Sequence, residues 1–150
     1  MKSSHLPPHY CLAEKLAKYA QTGAEMDIPA SIQWLRQAGV RVLGAQEPFC
    51  TGYIFNREAV PLQGTVAADL PREMKKLLIL NPIPKDRRLQ DAALLEKGVV
   101  AGKAAMKAGK YFHPAVNGFF DAASSGHSSV IQLEAIIANA RLAETLSKHV

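Results

Sequence analysis

Near the end of the 150-residue chain, Ile131, Ala135, Ile136, Asn139, Leu142, Ala143 and Leu146 recur at a largely apolar three- and four-residue spacing. That period belongs to an amphipathic α-helix, because residues three and four apart share a face. Ser129 and Gln132 have the spacing of a capping box, which predicts that the helix begins beside them. An isolated helix is marginal in water, so the stripe has to be covered by other elements of the chain.

Those elements can be read from breaks and periods. Each Pro of Pro7-Pro8 biases the residue before it away from helix, so the first residues are expected to be extended. A helix follows over 10–21, with Leu12, Leu16 and Tyr19 on one face, and Thr22-Gly23 stops it. Asp27 is an N-cap candidate with Pro29 just inside the next helix, which carries Ile32, Trp34 and Leu35 and stops at Gly39. From Val40 the texture changes. Residues 40–43 and 52–55 are short and β-branched or aromatic, and they predict a pair of strands joined by a hairpin loop over 44–51, with a third extended piece near Thr65-Val66.

The second half reads as helical. Asp69 can cap a helix through Pro71, Met74, Leu77 and Leu78; a strand over 76–80 competes, because a four-residue apolar run has no decisive period. Asp86 can open a further helix through Leu89, Ala93, Leu94 and Lys97, whose continuation Gly98, Gly102 and Gly109 weaken. A short helix is expected around Phe119-Phe120, within an aromatic stretch over 111–121 where the helical half closes its core. The fold class is therefore α+β, mainly α: N-terminal helices with a small β-hairpin, then a helical C-terminal half. One domain is expected over 1–150, with lobes at 10–66 and 69–150 as a subdivision.

Composition narrows the function classes. The chain is 48% hydrophobic and 21% charged. Those fractions are ordinary for a folded globular protein and exclude wholesale disorder. Its longest apolar cluster, Leu77-Leu78-Ile79-Leu80, is far too short to cross the hydrocarbon core of a bilayer. The opening residues carry no apolar core of a signal peptide, and two cysteines are too few for a disulfide framework, so a cytoplasmic setting without membrane partners is expected.

Charge is the strongest functional signal. The net charge of +5 is concentrated: residues 72–110 hold ten bases against four acids, while the flanking thirds are close to neutral. Arg72, Lys75, Lys76, Lys85, Arg87, Arg88, Lys103, Lys107 and Lys110 are the candidate contacts of this segment to phosphates or to an acidic protein surface. Aromatic residues are nearly absent among them, which favours duplex over single-stranded nucleic acid.

Ser31, Trp34, Leu35 and Gly39, followed by Tyr53-Ile54-Phe55 and Asn56-Arg57-Glu58-Ala59-Val60, set out a helix with an internal Trp, a Gly stop, a hairpin and an aromatic strand running into an Arg-Glu pair. This order over 28–60 resembles the winged-helix DNA-binding modules of the excisionase and MerR type. The resemblance implies a recognition helix bearing Arg36, with Arg41 just after it, a two-stranded wing, and a helix start at Asn56–Val60.

Candidates for chemistry are few. Cys11 at a predicted helix start, with His9 two residues before it, is the one arrangement that could activate a thiol. Cys50 is followed by Arg57 one residue too late for a Cys-x5-Arg phosphate loop, and 98–104 has one residue too few between its glycines for a nucleotide-binding loop. No histidine spacing predicts a metal, and no cofactor is implied. Ser125, Gly126, His127, Ser128 and Ser129 precede the last helix and form a candidate anion site, since helix-start amides attract anions. Three readings follow: a non-enzymatic nucleic-acid-binding or regulatory protein; a protein-interaction or inhibitory factor from a mobile element or host–pathogen conflict, as a homodimer through Phe119-Phe120; and a small thiol-dependent enzyme or effector.

Overall fold

The computed structural model describes residues 27–66 and 76–148. Element order is α1 (Ile28–Gln37), β1 (Arg41–Gly44), β2 (Phe49–Gly52), β3 (Asn56–Pro61), β4 (Leu77–Leu80), a 3-10 turn (Lys85–Arg87), α2 (Ala92–Lys107), α3 (Phe112–Ala123) and α4 (His127–Ser147). The fold is α+β and mainly α, with a small antiparallel hairpin and a helical C-terminal half. The helix expected over 10–21, with Cys11, lies outside the described residues, as do Arg72, Lys75 and the proposed cap at Asp69.

Helix α1 begins and ends where its caps place it. Asp27 accepts the Ala30 N–H at 3.1 Å. Pro29 occupies the first turn, where no intrahelical donor is needed. Gly39 then turns the chain in the left-handed region. The chain enters β1, and here the expected pairing is corrected. Strand β1 does not pair with 52–55; it runs parallel to β4, with Val42 opposite Leu78 and Leu43 opposite Ile79. Val42 and Leu43 are both fully buried, so β1 is covered on both faces. Uninterrupted apolar runs are the mark of such parallel strands, and Leu77–Leu80 is the matching run. The strand alternative at 76–80 therefore replaces the expected helix. The extended piece near Thr65 flanks β1 on its other edge, with a parallel bridge from Gly44 to Thr65.

The hairpin is β2–β3, pairing Phe49 with Pro61 and Cys50 with Val60 around an irregularity before Gly52. Tyr53-Ile54-Phe55 forms its turn, not its second strand. Gly52 is required there: it takes φ +114°, and a Cβ would collide with the Phe55 carbonyl. Asn56–Val60, where the resemblance implies a helix start, lies in β3. Ile54 and Phe55 point their apolar bulk into the helical half. The Phe55 ring meets Phe120 edge-on with centroids 4.9 Å apart.

That helical half is built on α2 and α3. Asp91, not Asp86, caps α2, accepting from Ala93 and Leu94, while Lys85–Arg87 makes only a 3-10 turn. Gly98 and Gly102 do not interrupt the helix; they face α3. A Cβ at Gly98 would overlap the Phe120 ring, and one at Gly102 would meet Phe112 and Val116. Their weak helix propensity is thus offset by close packing of the two helices. Helix α3 is longer than the expected short one, and its Phe112, Val116 and Phe120 join Ile83, Leu95, Ile131 and Ala135 in one core. Helix α4 starts two residues before Ser129, after left-handed Ser125 and Gly126, so the capping box is not formed.

Candidate anion-binding face and apolar cavity

The structure divides the bases into three groups. Arg88 is corrected from a surface contact to an interior strut, being only 3% exposed. Its Nε donates to the Ile83 carbonyl at 2.8 Å, and its Nη1 donates to the Thr51 carbonyl at 2.7 Å and reaches Thr51 Oγ1 and Asn56 Oδ1. Burial lowers the guanidinium pKa from its ordinary value, with the nearby Cys50 and Glu47 acting in the opposite direction. A planar fork of five donors suits this position, because one side chain can tie the hairpin to the segment before α2.

In a second group, Arg87 and Arg36 are committed to other parts of the protein. Arg87 forms an ion pair with Glu134 of α4, its Nε reaching Oε2 at 3.3 Å. Arg36, at the end of α1, donates Nη2 to the Pro61 carbonyl at 2.6 Å. Arg41 and Lys76 are exposed at the start of β1 and just before β4, where the Arg41 N–H donates to the Lys76 carbonyl at 2.8 Å.

The third group is α2's outer face. Leu95, Gly98 and Gly102 turn inward, so the helical period carries Lys103 and Lys107 outward one turn apart, with Lys97 on the flank. Lys110 follows just beyond the helix. All four are exposed and have no carboxylate partner among the described residues; Glu96 is the acid that shares this face. Lys85 is also exposed, on the 3-10 turn. The basic segment of the sequence thus contributes a lysine face rather than a single converging cluster of ten.

The loop before α4 is turned upon itself. Ser124 Oγ accepts the Ser128 N–H at 3.0 Å, Ser129 Oγ donates to Asp121 Oδ1, and His127 Nε2 lies 3.2 Å from the Arg87 carbonyl. Ser128 is fully buried, and its hydroxyl has no hydrogen-bond partner. Ser125 and Gly126 hold the left-handed turn. Of the candidate anion-binding residues, His127 and Ser129 thus make local contacts, Ser128 is buried and Ser125 is exposed, and the Asp121 carboxylate stands beside the helix start.

A feature the sequence did not disclose lies between the hairpin turn and the helices. A cavity of about 290 Å³ is floored by Ile54, Phe55, Leu95, Val116 and Phe120, with Ile28 of α1 at its side, and its rim carries Tyr53, Arg57, His113, Asn117 and Gln132. The rim residues come from β3, the hairpin turn, α3 and α4, and only the aromatic Tyr53-Ile54-Phe55 run hinted at them. Partial burial of the half-exposed Tyr53 raises its hydroxyl pKa above the usual 10.0.

Helix α4 leaves a second apolar face uncovered. Leu133 is 58% and Ile136 64% exposed, with Val130 and Ile137 beside them. The Phe119-Phe120 pair, by contrast, is not a surface patch: Phe120 is 1% exposed and Phe119 packs against the core. Among the described residues there is no group of three or more His, Cys, Asp or Glu placed to hold a metal, and no helix is long and apolar enough to cross a membrane. Compared with protein-family models, curated proteins and solved structures, the chain finds no match.

Proposed function

We propose that this is a non-enzymatic binding protein that engages duplex nucleic acid, DNA foremost, through the lysine face of α2. The supporting observation is that Lys97, Lys103, Lys107 and Lys110 stand exposed on or next to one helix, opposite its core face and without carboxylate partners among the described residues. Lysines so placed neutralise phosphates and release counterions, which gives affinity without base readout. An acidic protein surface would meet the same lysines.

Fluorescence anisotropy with a labelled DNA duplex tests the reading. Four phosphate contacts give a slope of log affinity against log salt of about −3.6, so binding is expected to weaken about a hundredfold between roughly 50 and 200 mM salt. Absence of binding at about 50 mM salt, or binding indifferent to salt, contradicts it.

The outer face of α4 favours a second reading, as a protein-interaction factor. A helix apolar on both sides is normally covered on both, and isologous pairing of two copies is the commonest way to cover such a face. Light scattering that gives twice the chain mass, reverting to a monomer in Leu133→Glu, supports it; a monomeric parent protein contradicts it.

A further inference from the structure

We propose that the cavity bounded by the start of α1, the hairpin turn and helices α2 to α4 is a binding site for a small amphipathic carboxylate. Its floor consists of hydrocarbon and aromatic side chains from the core, Ile54, Phe55, Leu95, Val116 and Phe120, so the body of any occupant is apolar. Its rim is polar and asymmetric in charge. Arg57 is the permanent cation, no carboxylate lines the cavity among the described residues, and Asn117 and Tyr53 add neutral donors. An anionic head is attracted to such a rim, and an ammonium head is repelled from it.

Arg57 is available for that role. It projects from β3, is exposed, and forms no hydrogen bond or ion pair among the described residues. A guanidinium matches a carboxylate through two parallel N–H···O bonds, which a point charge such as lysine cannot reproduce. The volume sets the size. One water occupies roughly 30 Å³ in the liquid. A cavity of about 290 Å³ therefore holds on the order of ten non-hydrogen atoms. That is the small end of the range for ligand pockets. A short fatty acid or an arylalkanoic acid has this size and shape: apolar tail on Phe55 and Phe120, carboxylate at Arg57. The site is separate from the α2 lysines and does not depend on nucleic-acid binding.

The test uses the full chain and two probes of nearly equal size, octanoate and octylammonium, titrated by heteronuclear NMR with octanamide as the neutral reference. Octanoate is expected to saturate with a dissociation constant of about 0.1–1 mM, towards the weak end of what a ligand of about ten atoms can reach. The side-chain amides of Asn117 and Gln132 are expected to shift, and octylammonium to bind at least tenfold more weakly. Arg57→Gln, at an exposed position, is expected to lower octanoate affinity at least tenfold while leaving octanamide affinity unchanged. Non-saturable octanoate binding, shifts confined to other surfaces, equal binding of octylammonium, or an unaffected Arg57→Gln variant would each overturn the proposal.

Discussion

Arg88 makes its side-chain connections to Ile83, Thr51 and Asn56 from a position almost closed to solvent, so its charge is used inside the protein. Arg88→Ala would remove its donors from the buried Ile83 carbonyl and the half-buried Thr51 carbonyl and is expected to lower unfolding stability by about 2–4 kcal/mol in a urea titration. A loss under about 0.5 kcal/mol would mean that these bonds contribute nothing net. Ser128 presents the opposite situation. Its buried hydroxyl has no partner. Ser128→Ala removes that unmet polar group and is expected to be neutral or stabilising by about 1 kcal/mol, measured the same way. Tyr53 links stability to pH. Because burial raises its native pKa above 10.0, the unfolded chain loses this proton first as pH rises. The contribution is complete below about pH 10 and is lost as pH climbs through the raised native value. Tyr53→Phe is expected to show a smaller drop in urea midpoint between about pH 9 and about pH 11 than the parent protein. None of these three roles is legible in sequence, since one residue type serves buried and exposed positions alike and only its surroundings decide.

At the scale of elements, local chemistry was readable and long-range pairing was not. The Asp27 cap, the Pro29 first turn and the left-handed Gly39 are each fixed by a residue and its immediate neighbours, and all three form as the sequence implies. The partner of β1 is set by burial on both faces, which draws together two apolar runs far apart along the chain. Nearness in sequence pointed instead to 52–55, whose Ile54 and Phe55 serve as a plug into the helical core. Gly98 and Gly102 carry the same lesson: read alone they weaken a helix, but read against α3 they permit its close approach. Replacing either glycine with alanine gains helix propensity of about 1 kcal/mol. The added methyl group also forces overlap with Phe120, or with Phe112 and Val116. A net loss of about 1–3 kcal/mol is expected from thermal unfolding. An alanine variant as stable as the parent would show that the α2–α3 spacing yields freely.

Across the whole molecule, the two halves of the chain are tied together by the parallel β1–β4 ladder, by Arg88 and by the Phe55–Phe120 contact. This arrangement uses the one interior base among the described residues, Arg88, for structure and turns the lysines of α2 to the outside. The concentration of charge in residues 72–110 was evident from counting, but its distribution among an interior strut, an ion pair to Glu134 and a free helix face required the fold. The cavity was hidden for the same reason, because its rim draws residues from separate stretches of the chain. The decisive measurement is the salt dependence of duplex DNA binding in the parent protein and in a Lys103→Gln, Lys107→Gln double variant. If the α2 face carries the affinity, the slope of log affinity against log salt becomes shallower by about 1.8, with the fold unchanged by circular dichroism. An unchanged slope in a folded variant would show that these lysines do not meet phosphate.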